Sequence, residues 1–328
     1  MNVLSLFDGI SCGQVALQRS GFKPKYYFAS EIDTHAMYVT RQHFPDTLQV
    51  GSVTTLHDID FDGIGGIDLL MGGSPCQGFS FAGKQLNFDD PRSKLFFDFV
   101  KLKNRLNPKY FLLENVSMKR EFLDVIDEQL GVRGVLINSN EFSAQGRKRY
   151  YWTNIPIAPI QSSTTTVEDI LQDNVDDEYW VSYENAVTIC ENEVDKGKLL
   201  RAVGDAYLPS NSYYIHSNLI TLKDDHTQIS DMDKVWVMPC ITPNRLKKRQ
   251  NGRRFNPPFS KFYTLTTQDR HGILINGGIR KLTPLECERL QTLPDDYTLG
   301  LSDAKRYHAI GNGWTVDVIA HILKGMKL

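Results

Sequence analysis

Short apolar runs alternate with segments of helical periodicity through residues 1–157, and this alternation limits the fold more than any other feature of the sequence. The apolar runs predict strands at residues 2–7, 26–32, 48–53, 68–71, 110–116 and 135–138. Helices are predicted at residues 14–20, 34–44, 93–106 and 119–130. Strands and helices in this order form a sheet with helices on both faces. We therefore predict an α/β fold with a doubly wound, mostly parallel sheet and a functional site at the carboxyl ends of its strands.

A glycine turn, residues 8–13, connects the first predicted strand to the first helix, which is how nucleotide-binding units begin. Glu31 ends the second strand about twenty residues past that turn, where a carboxylate can accept hydrogen bonds from both ribose hydroxyls. The glycine spacing is not that of a phosphate-binding turn. Together the two signals predict a cofactor that carries a ribose but no phosphate. Taken singly, a tight turn without ligand and a solvated Glu31 remain alternatives.

Cys76 lies in the stretch Gly-Gly-Ser-Pro-Cys-Gln-Gly-Phe-Ser, directly after a predicted buried strand. A single cysteine is more often a small buried hydrophobe. Here the preceding glycines and Pro75 fix the backbone at a strand end, which favours an exposed nucleophile. Residues 77–90 follow it and are predicted to form a mobile lid, with an ordinary surface loop as the alternative.

Two further stretches place charges at strand ends. Glu114 lies in the apolar strand at 110–116, where a buried charge is costly unless it is paired or shares a proton with a ligand. Arg147 and Arg149, two residues apart on a predicted strand, project to the same face. A helix cap or solvated carboxylate, and a solvated strand edge, are the alternatives.

These motifs together resemble the cytosine-5 DNA methyltransferase family of bacterial or phage type, over nearly all of the chain except its middle. The motifs that carry the resemblance follow in the family's order: Phe7-Asp8-Gly9 with Gly13, Pro75-Cys76-Gln77, Glu114-Asn115-Val116, Gln145-x-Arg147-x-Arg149, Arg280-x-Leu282-Thr283-x-x-Glu286-x-x-Arg289 and Gly311-Asn312. The resemblance implies a Rossmann-like methyltransferase fold with a smaller, irregular target-recognition domain.

The implied activity is transfer of a methyl group from S-adenosylmethionine to carbon-5 of a cytosine flipped out of a specific duplex DNA sequence. By the resemblance, Cys76 forms a covalent bond to the base, and Glu114 meets ring nitrogen-3 and the exocyclic amine. Arg149 holds the carbonyl oxygen of the base, and Arg147 lies close to the nucleophile. A tRNA cytosine-5 methyltransferase and a catalytically silent DNA-binding relative are the alternatives.

The resemblance also implies a set of cofactor-binding residues: Phe7, Asp8, Gly9, Ile10, Ser11, Cys12, Gly13, Glu31, Ile32, Ser52, Val53, Pro75, Leu95 and Asn312. Two positions depart from the family pattern. Ser52 stands where many relatives have an aspartate that meets the adenine amine, which puts that contact in doubt. Ser11 replaces the second glycine of the first turn, and we expect a slightly different backbone path there.

Residues 158–278 interrupt the alternation and are predicted to form a linker and the target-recognition domain. Residues expected to contact DNA are Gln77 and Ser80 of the lid, Thr264 and Thr266 of a Thr-Leu element, and a basic cluster of Arg245, Lys247, Lys248, Arg249, Arg253 and Arg254. A solvated basic loop is the alternative for the cluster.

The last segment, residues 279–328, is predicted to return to the catalytic domain. Thr283, Pro284 and Glu286 have the spacing of a capped helix start. Arg289 is expected to tie the domains together. A final amphipathic helix at residues 314–323 should place Asn312 beside the cofactor.

Composition excludes several classes of protein. The five cysteines are scattered and never form a Cys-x-x-Cys pair, which argues against a disulfide framework or a metal site. No apolar run is long enough to span a bilayer and none resembles a secretion signal. The net charge of −2 means that any nucleic-acid surface is local. We expect a cytoplasmic monomer, associated with the nucleoid when bound to double-stranded DNA, and leave a cognate restriction endonuclease open as a partner.

Overall fold

The structure, a computed structural model, describes residues 1–75, 91–194, 237–247, 252–275 and 278–327. The first part contains β1 (Asn2–Leu6), α1 (Cys12–Arg19), β2 (Tyr26–Ser30), α2 (Thr34–His43), β3 (Leu48–Gln49), β4 (Leu69–Gly73), α3 (Pro91–Leu106), β5 (Tyr110–Val116), α4 (Arg120–Leu130), β6 (Val135–Asn138) and β7 (Lys148–Thr153). The rest contains α5 (Tyr183–Val194), β8 (Met238–Ile241), β9 (His271–Ile275), β10 (Gly278–Lys281), α6 (Pro284–Leu290), α7 (Asp303–Asn312) and α8 (Val316–Leu323).

The main sheet has seven strands in the order β3-β2-β1-β4-β5-β7-β6. The strands from β3 to β5 run parallel, and β7 runs antiparallel between β5 and β6. The predicted doubly wound, mostly parallel sheet is therefore confirmed. Chain order reverses between β1 and β4, so a crevice opens beyond the carboxyl ends of these two strands.

Alternate residues of the central strands face two separate hydrophobic cores, because successive side chains of a strand point to opposite faces. Val3, Leu69 and Met71 belong to the core that contains α1 and α8. Leu4 and Leu70 belong to the core beneath α3 and α4. Burial on both faces explains why these strands read as continuous apolar runs in the sequence.

The described residues of the middle of the chain are more regular than predicted. It contributes β8 and β9 to an antiparallel sheet of three strands in the order β10-β9-β8. This sheet shares a core with α5, including Ile189, Met238 and Ile279. Strand β10 begins at Gly278, where the recognition domain was predicted to end, and it pairs with β9. The first residues of the predicted last segment therefore belong to the small sheet.

Most predicted elements differ from the observed ones by one or two residues at an end, and two of the differences have a clear local reason. The strand expected at residues 48–53 stops at Gln49, because Gly51 adopts a left-handed φ of 75° and Ser52 caps a 3-10 helix, Val53–Asp58. The last helix begins at Val316 rather than at residue 314, since Thr315 is extended at its N-cap.

The predicted helix start at Thr283 is confirmed. Its side chain accepts from the backbone N–H of Glu286, the Glu286 side chain accepts in return, and Pro284 occupies the first turn. Arg280 pairs with Glu286 through two contacts of 2.7 Å in a fully buried position. In the part of the chain that is described, no helix has the length and apolar character needed to cross a membrane.

Candidate active site

A cavity of about 380 Å³ opens at the carboxyl ends of β1, β2, β4 and β5, where chain order reverses. Its volume lies in the range of small-molecule binding sites. Twelve of the expected cofactor-binding residues line it: Phe7, Asp8, Gly9, Ile10, Cys12, Glu31, Ile32, Ser52, Val53, Pro75, Leu95 and Asn312. The expected catalytic residues Glu114, Arg147 and Arg149 line the same cavity. One cavity is therefore lined both by Glu31, the acid that follows β2, and by the charged side chains of Glu114, Arg147 and Arg149.

Glu31 joins the two backbone segments that follow β1 and β2 at this cavity. Its carboxylate accepts hydrogen bonds from the backbone N–H groups of Gly9 at 2.8 Å, Ile32 at 2.7 Å and Asp33 at 2.8 Å. The turn after β1 is thereby fixed to the end of β2. A carboxylate offers about four acceptor positions, so Glu31 keeps capacity for a further donor on the cavity side.

Asp8, the first residue of the glycine turn, is buried. The Tyr27 hydroxyl donates to its Oδ1 at 2.6 Å, and the Ser11 hydroxyl donates to its Oδ2. Burial raises the pKa of Asp8 to about 6, although both hydroxyls favour the charged form and oppose this rise. The negative charge of Glu31 adds a smaller upward effect on the pKa of Asp8. The carboxyl group of Asp8 therefore titrates near neutral pH.

Ser11 and Gly13, two of the expected cofactor residues, do not line the cavity. Ser11 has a φ of 56°, in the left-handed region that favours glycine, and its side chain turns down onto Asp8. The serine thus takes a glycine-like conformation, so no change of backbone path is needed to explain it. At Gly13 a Cβ would lie 2.5 Å from the Met71 side chain, which means that glycine lets α1 pack closely on β4.

Glu114 on β5 and Arg149 on β7 form an ion pair, with Arg149 Nε 2.9 Å from Glu114 Oε1. The register pairs Glu114 with Tyr151, and Arg149 is two residues from Tyr151, so both charged side chains lie on one face of the sheet. The two side chains are 11% and 14% exposed. Each charge is thus stabilised by the other while its remaining surface faces the cavity.

Arg147 precedes β7 and is buried. Its guanidinium donates to the carbonyl oxygens of Leu265 at 2.9 Å and Gly313 at 3.1 Å, so it clamps two distant segments at the cavity. The predicted common orientation of Arg147 and Arg149 is consistent with their shared cavity, but in the structure only Arg149 belongs to the strand.

The expected Thr-Leu element lies directly against this wall of the cavity. The Thr264 hydroxyl donates to the Gly146 carbonyl at 2.7 Å, and the Leu265 N–H donates to Gln145 Oε1 at 2.8 Å. A Cβ on Gly311 would lie 2.6 Å from the backbone of Thr266, so glycine allows the close approach of α7. Thr264 and Thr266 are thereby held near Arg147.

The basic cluster divides into exposed and buried members. Arg245, Lys247 and Arg253 are exposed. Arg254 is only 1% exposed and donates to the carbonyls of Arg245 at 2.9 Å and Leu246 at 3.1 Å. The expectation that Arg254 contacts DNA is therefore wrong, because its guanidinium is turned inward to hold the loop that carries the exposed cations.

Several predicted residues lie outside the described residues: Cys76, Gln77, Ser80, Lys248, Arg249 and the lid at residues 77–90. Pro75, which directly precedes the expected nucleophile, lines the cavity. In the described part of the chain, no cluster of three or more His, Cys, Asp or Glu side chains is arranged to hold a metal ion.

Sequence reasoning missed Trp314, which lines the cavity between Gly313 and the start of α8. A Cβ on Gly73 would lie 2.9 Å from Trp314 Nε1 and 3.0 Å from Glu114 Oε2. The Gly72-Gly73 pair at the end of a buried strand was the available signal, since glycine at such a place indicates a close approach.

The family model described as C-5 cytosine-specific DNA methylase matches residues 1–328. Orphan methyltransferase M.SPRI of Bacillus phage SPR is 27% identical, over 99% of this chain and 97% of the relative. Type II methyltransferase M.BanI of Aneurinibacillus aneurinilyticus is 26% identical, over 98% of this chain and 95% of the relative.

Solved structures with this fold include a putative DNA modification methyltransferase encoded within an E. coli prophage, with a TM-score of 0.62 and 21% identity over 99% of this chain and 98% of that one. Spodoptera frugiperda DNMT2, as a triple mutant, has a TM-score of 0.60 and 18% identity over 99% and 98% of the two chains.

The sheet order and the likeness to these solved structures define a Rossmann-like, doubly wound fold with a charged cavity at its switch point. The chain belongs to the C-5 cytosine-specific DNA methylase family, and it is a DNA (cytosine-5-)-methyltransferase. The tRNA alternative is not favoured, because the matched family is one of DNA methylases.

Proposed function

We propose that this enzyme methylates one specific duplex sequence by forming a temporary bond between Cys76 and carbon-6 of a flipped-out cytosine, with S-adenosylmethionine as donor. One observation carries the proposal: the Glu114–Arg149 ion pair and the strand-end acid Glu31 line a single cavity, which Pro75 also lines. A base held by the ion pair and a donor held by Glu31 would share that cavity.

The residues of the cavity suit this donor. Glu31 has acceptor capacity for ribose hydroxyls, and the apolar side chains of Phe7, Ile32 and Val53 offer flanks for an adenine ring. The Ser52 hydroxyl accepts a hydrogen bond from the backbone N–H of Thr54 and also bonds to the Thr54 hydroxyl. This supports a contact from the Val53 backbone to the adenine in place of the usual aspartate. When bound, S-adenosylmethionine supplies an electrophilic methyl group on a positively charged sulfur.

The nucleophile makes the base reactive. Carbon-5 of cytosine is a weak nucleophile, because its electrons belong to the aromatic ring. The Cys76 thiolate would donate a pair to carbon-6, and the pair of the carbon-5–carbon-6 double bond would become available at carbon-5 to take up the methyl group. The electrons of the broken methyl–sulfur bond would stay on sulfur, and S-adenosylhomocysteine would be released. Water removes the carbon-5 proton, the double bond re-forms, and the thiolate leaves.

Glu114 and Arg149 stabilise the charge that develops on the ring. Glu114 meets nitrogen-3 and the exocyclic amine, and Arg149 holds the carbonyl oxygen. In the free protein the two groups satisfy each other at 2.9 Å. Binding of the base would therefore exchange the ion pair for contacts of both groups to the ring, which orients the base.

Residues 158–278 form the target-recognition domain of this proposal. The exposed cations Arg245, Lys247 and Arg253 supply phosphate contacts, and Thr264 and Thr266 lie beside the flipped base. Gln77, Ser80, Lys248 and Arg249 are assigned to DNA from the sequence alone. We further propose that the enzyme acts as a cytoplasmic monomer on chromosomal DNA, with or without a partner endonuclease.

A mechanism-based trap tests the proposal. Fluorine at carbon-5 cannot be removed as a proton is, so a duplex library containing 5-fluorocytosine should remain bonded to the enzyme in the presence of S-adenosylmethionine. The wild-type chain should give a complex stable to detergent, and Cys76→Ser should give none. Cys190→Ala, which changes a buried cysteine of the small-sheet core, is the matched control and should trap normally. Failure of the wild-type chain to trap would contradict the proposal.

A further inference from the structure

Gln291, directly after α6, is completely buried and uses every hydrogen-bonding position of its side chain. Its Nε2 donates to the carbonyls of Ile310 and Gly313, both at 3.0 Å. Its Oε1 accepts from Gln145 Nε2 at 3.2 Å and from the Thr315 hydroxyl at 2.8 Å. An amide offers two donors and two acceptor positions, so this side chain is saturated.

One side of this network is the wall of the cofactor cavity. Gly313 lies between Asn312 and Trp314, and all three line the cavity. The backbone carbonyl of Gln291 also accepts from the N–H of Val316, the first residue of α8. Gln291 thus fixes both the end of α7, which carries Asn312, and the start of α8.

The other side of the network is the Thr-Leu element that faces the DNA. Gln145, which donates to Gln291, accepts the N–H of Leu265 at 2.8 Å. Arg147 donates to the carbonyl of the same residue at 2.9 Å, and also to the carbonyl of Gly313 at 3.1 Å. An amide route and a guanidinium route therefore both connect Leu265 to Gly313.

The side-chain amide of Gln291 can adopt only one orientation in this network. If the amide of Gln291 were reversed, its oxygen would face the carbonyl oxygens of Ile310 and Gly313, neither of which can donate. A buried, saturated network of this kind specifies one arrangement of the groups it joins. Gln145 Nε2 is shared between Gln291 Oε1 and the Leu290 carbonyl, each at 3.2 Å, so the amide chain from Leu265 to Gly313 is also anchored to the end of α6.

We infer that Gln291 is a positioning residue that couples the DNA-facing Thr-Leu element to the wall of the cofactor cavity, so that duplex DNA and cofactor each strengthen binding of the other. This inference rests on the proposed cofactor and on the proposed DNA contact of residues 264–266. A coupling between two binding sites is reciprocal, and it is measured as the ratio of the two affinities for one ligand.

Titration calorimetry with S-adenosylhomocysteine, in the absence and presence of duplex DNA that contains the recognition sequence, measures this ratio. We expect DNA to tighten binding to the wild-type chain at least about fivefold, the lower end of typical couplings. In Gln291→Met, which keeps the volume but removes the amide, the ratio should fall to within about twofold of unity. Thr315→Val removes one bond of the network and should give an intermediate ratio.

Asn2 provides a matched control because it is also a buried amide, and it donates to the carbonyls of Ile64 at 3.0 Å and Gly66 at 2.8 Å at the far end of β1. Asn2→Leu should lose stability but keep the wild-type ratio. The inference is overturned if wild-type binding does not respond to DNA, or if Gln291→Met and Thr315→Val keep the wild-type response. Absence of S-adenosylhomocysteine binding to the wild-type chain would instead contradict the proposed cofactor.

Discussion

Arg149 on β7 contacts Glu114 on β5, with Nε 2.9 Å from Oε1. Strand β5 lies next to β4, the strand that precedes Pro75 in the chain. The pair is nearly buried, so neither charge is fully hydrated when the other is removed. This mutual dependence allows the two residues to be tested as a unit.

Replacing either partner should slow methyl transfer, and the two losses should not add. Glu114→Gln removes the acid that we assign to ring nitrogen-3 and should lower kcat by about 10²-fold or more. Arg149→Ala should lower it comparably, because it also leaves the Glu114 carboxylate without its cation. The double variant should be no slower than the slower single variant, as expected for residues that act together. Single-turnover kinetics make the measurement.

The control for this pair is Arg120→Ala, which breaks an exposed ion pair with Asp124 on α4, away from the cavity. Its rate should equal that of the wild-type chain. Strictly additive losses for Glu114→Gln and Arg149→Ala would show that the ion pair does not act as a unit.

Asp8 should make the protein less stable as the pH rises. Its pKa of about 6 in the folded state lies above the ordinary value of 3.8, so the folded state binds the proton more tightly. Stability from this group is present below pH 4 and is lost as the pH rises through 6. The stability of Asp8→Asn relative to wild type should therefore increase by about 2 kcal/mol between pH 4 and pH 7.

Urea unfolding at intervals of pH measures this difference, and an amide at position 8 can still bond to the hydroxyls of Ser11 and Tyr27. A relative stability of Asp8→Asn that does not change with pH would show that the pKa of Asp8 is the same in the folded and unfolded chains.

His271 should have the opposite pH dependence. Burial lowers its pKa to about 4, and the charge of Arg270 adds to this effect. The unfolded chain then binds the proton more readily, so stability is present above pH 6.5 and is lost as the pH falls toward 4. His271→Leu should reduce the loss of stability between pH 7 and pH 5 by about 2 kcal/mol. An unchanged acid sensitivity in urea unfolding would contradict a buried neutral imidazole.

Arg253 and Arg254 are neighbours with different expected roles. Arg253→Ala removes an exposed cation, so the plot of log affinity for DNA against log salt should become shallower by about 0.9. Arg254→Ala removes the support beneath Arg245 and Leu246, and should lower stability. Affinity titrations at several salt concentrations, with urea unfolding alongside, separate the two. An equal change of slope with no loss of stability in Arg254→Ala would show that Arg254 does reach the phosphates.

The sheet and the strand-end acids were predictable because their signals are local. The apolar run of β1, the turn at Gly9 and the acid Glu31 follow one another within a single strand–helix–strand unit. The capped helix start is likewise determined by four adjacent residues, Thr283 to Glu286. Periodicity and turn chemistry act over such distances, so the main architecture follows from them.

Features that depend on contacts between distant residues were not predictable in the same way. A run of cations does not show that Arg254, rather than its neighbour, turns inward to satisfy carbonyl groups. Nothing near Gln291 in the sequence indicates Gln145, and nothing near Gly73 indicates Trp314. The contact of Gln291 with Gln145 and the close approach of Trp314 to Gly73 arise only when the last segment packs on the first domain.

The most direct test of the account is base-resolution mapping of 5-methylcytosine after expression in a host that lacks cytosine methylation. We predict methylation of cytosine at carbon-5 in one recurrent duplex sequence with the wild-type chain, and none with Cys76→Ser produced at the same level. Absence of 5-methylcytosine with the wild-type chain, or the same pattern with Cys76→Ser, would contradict it.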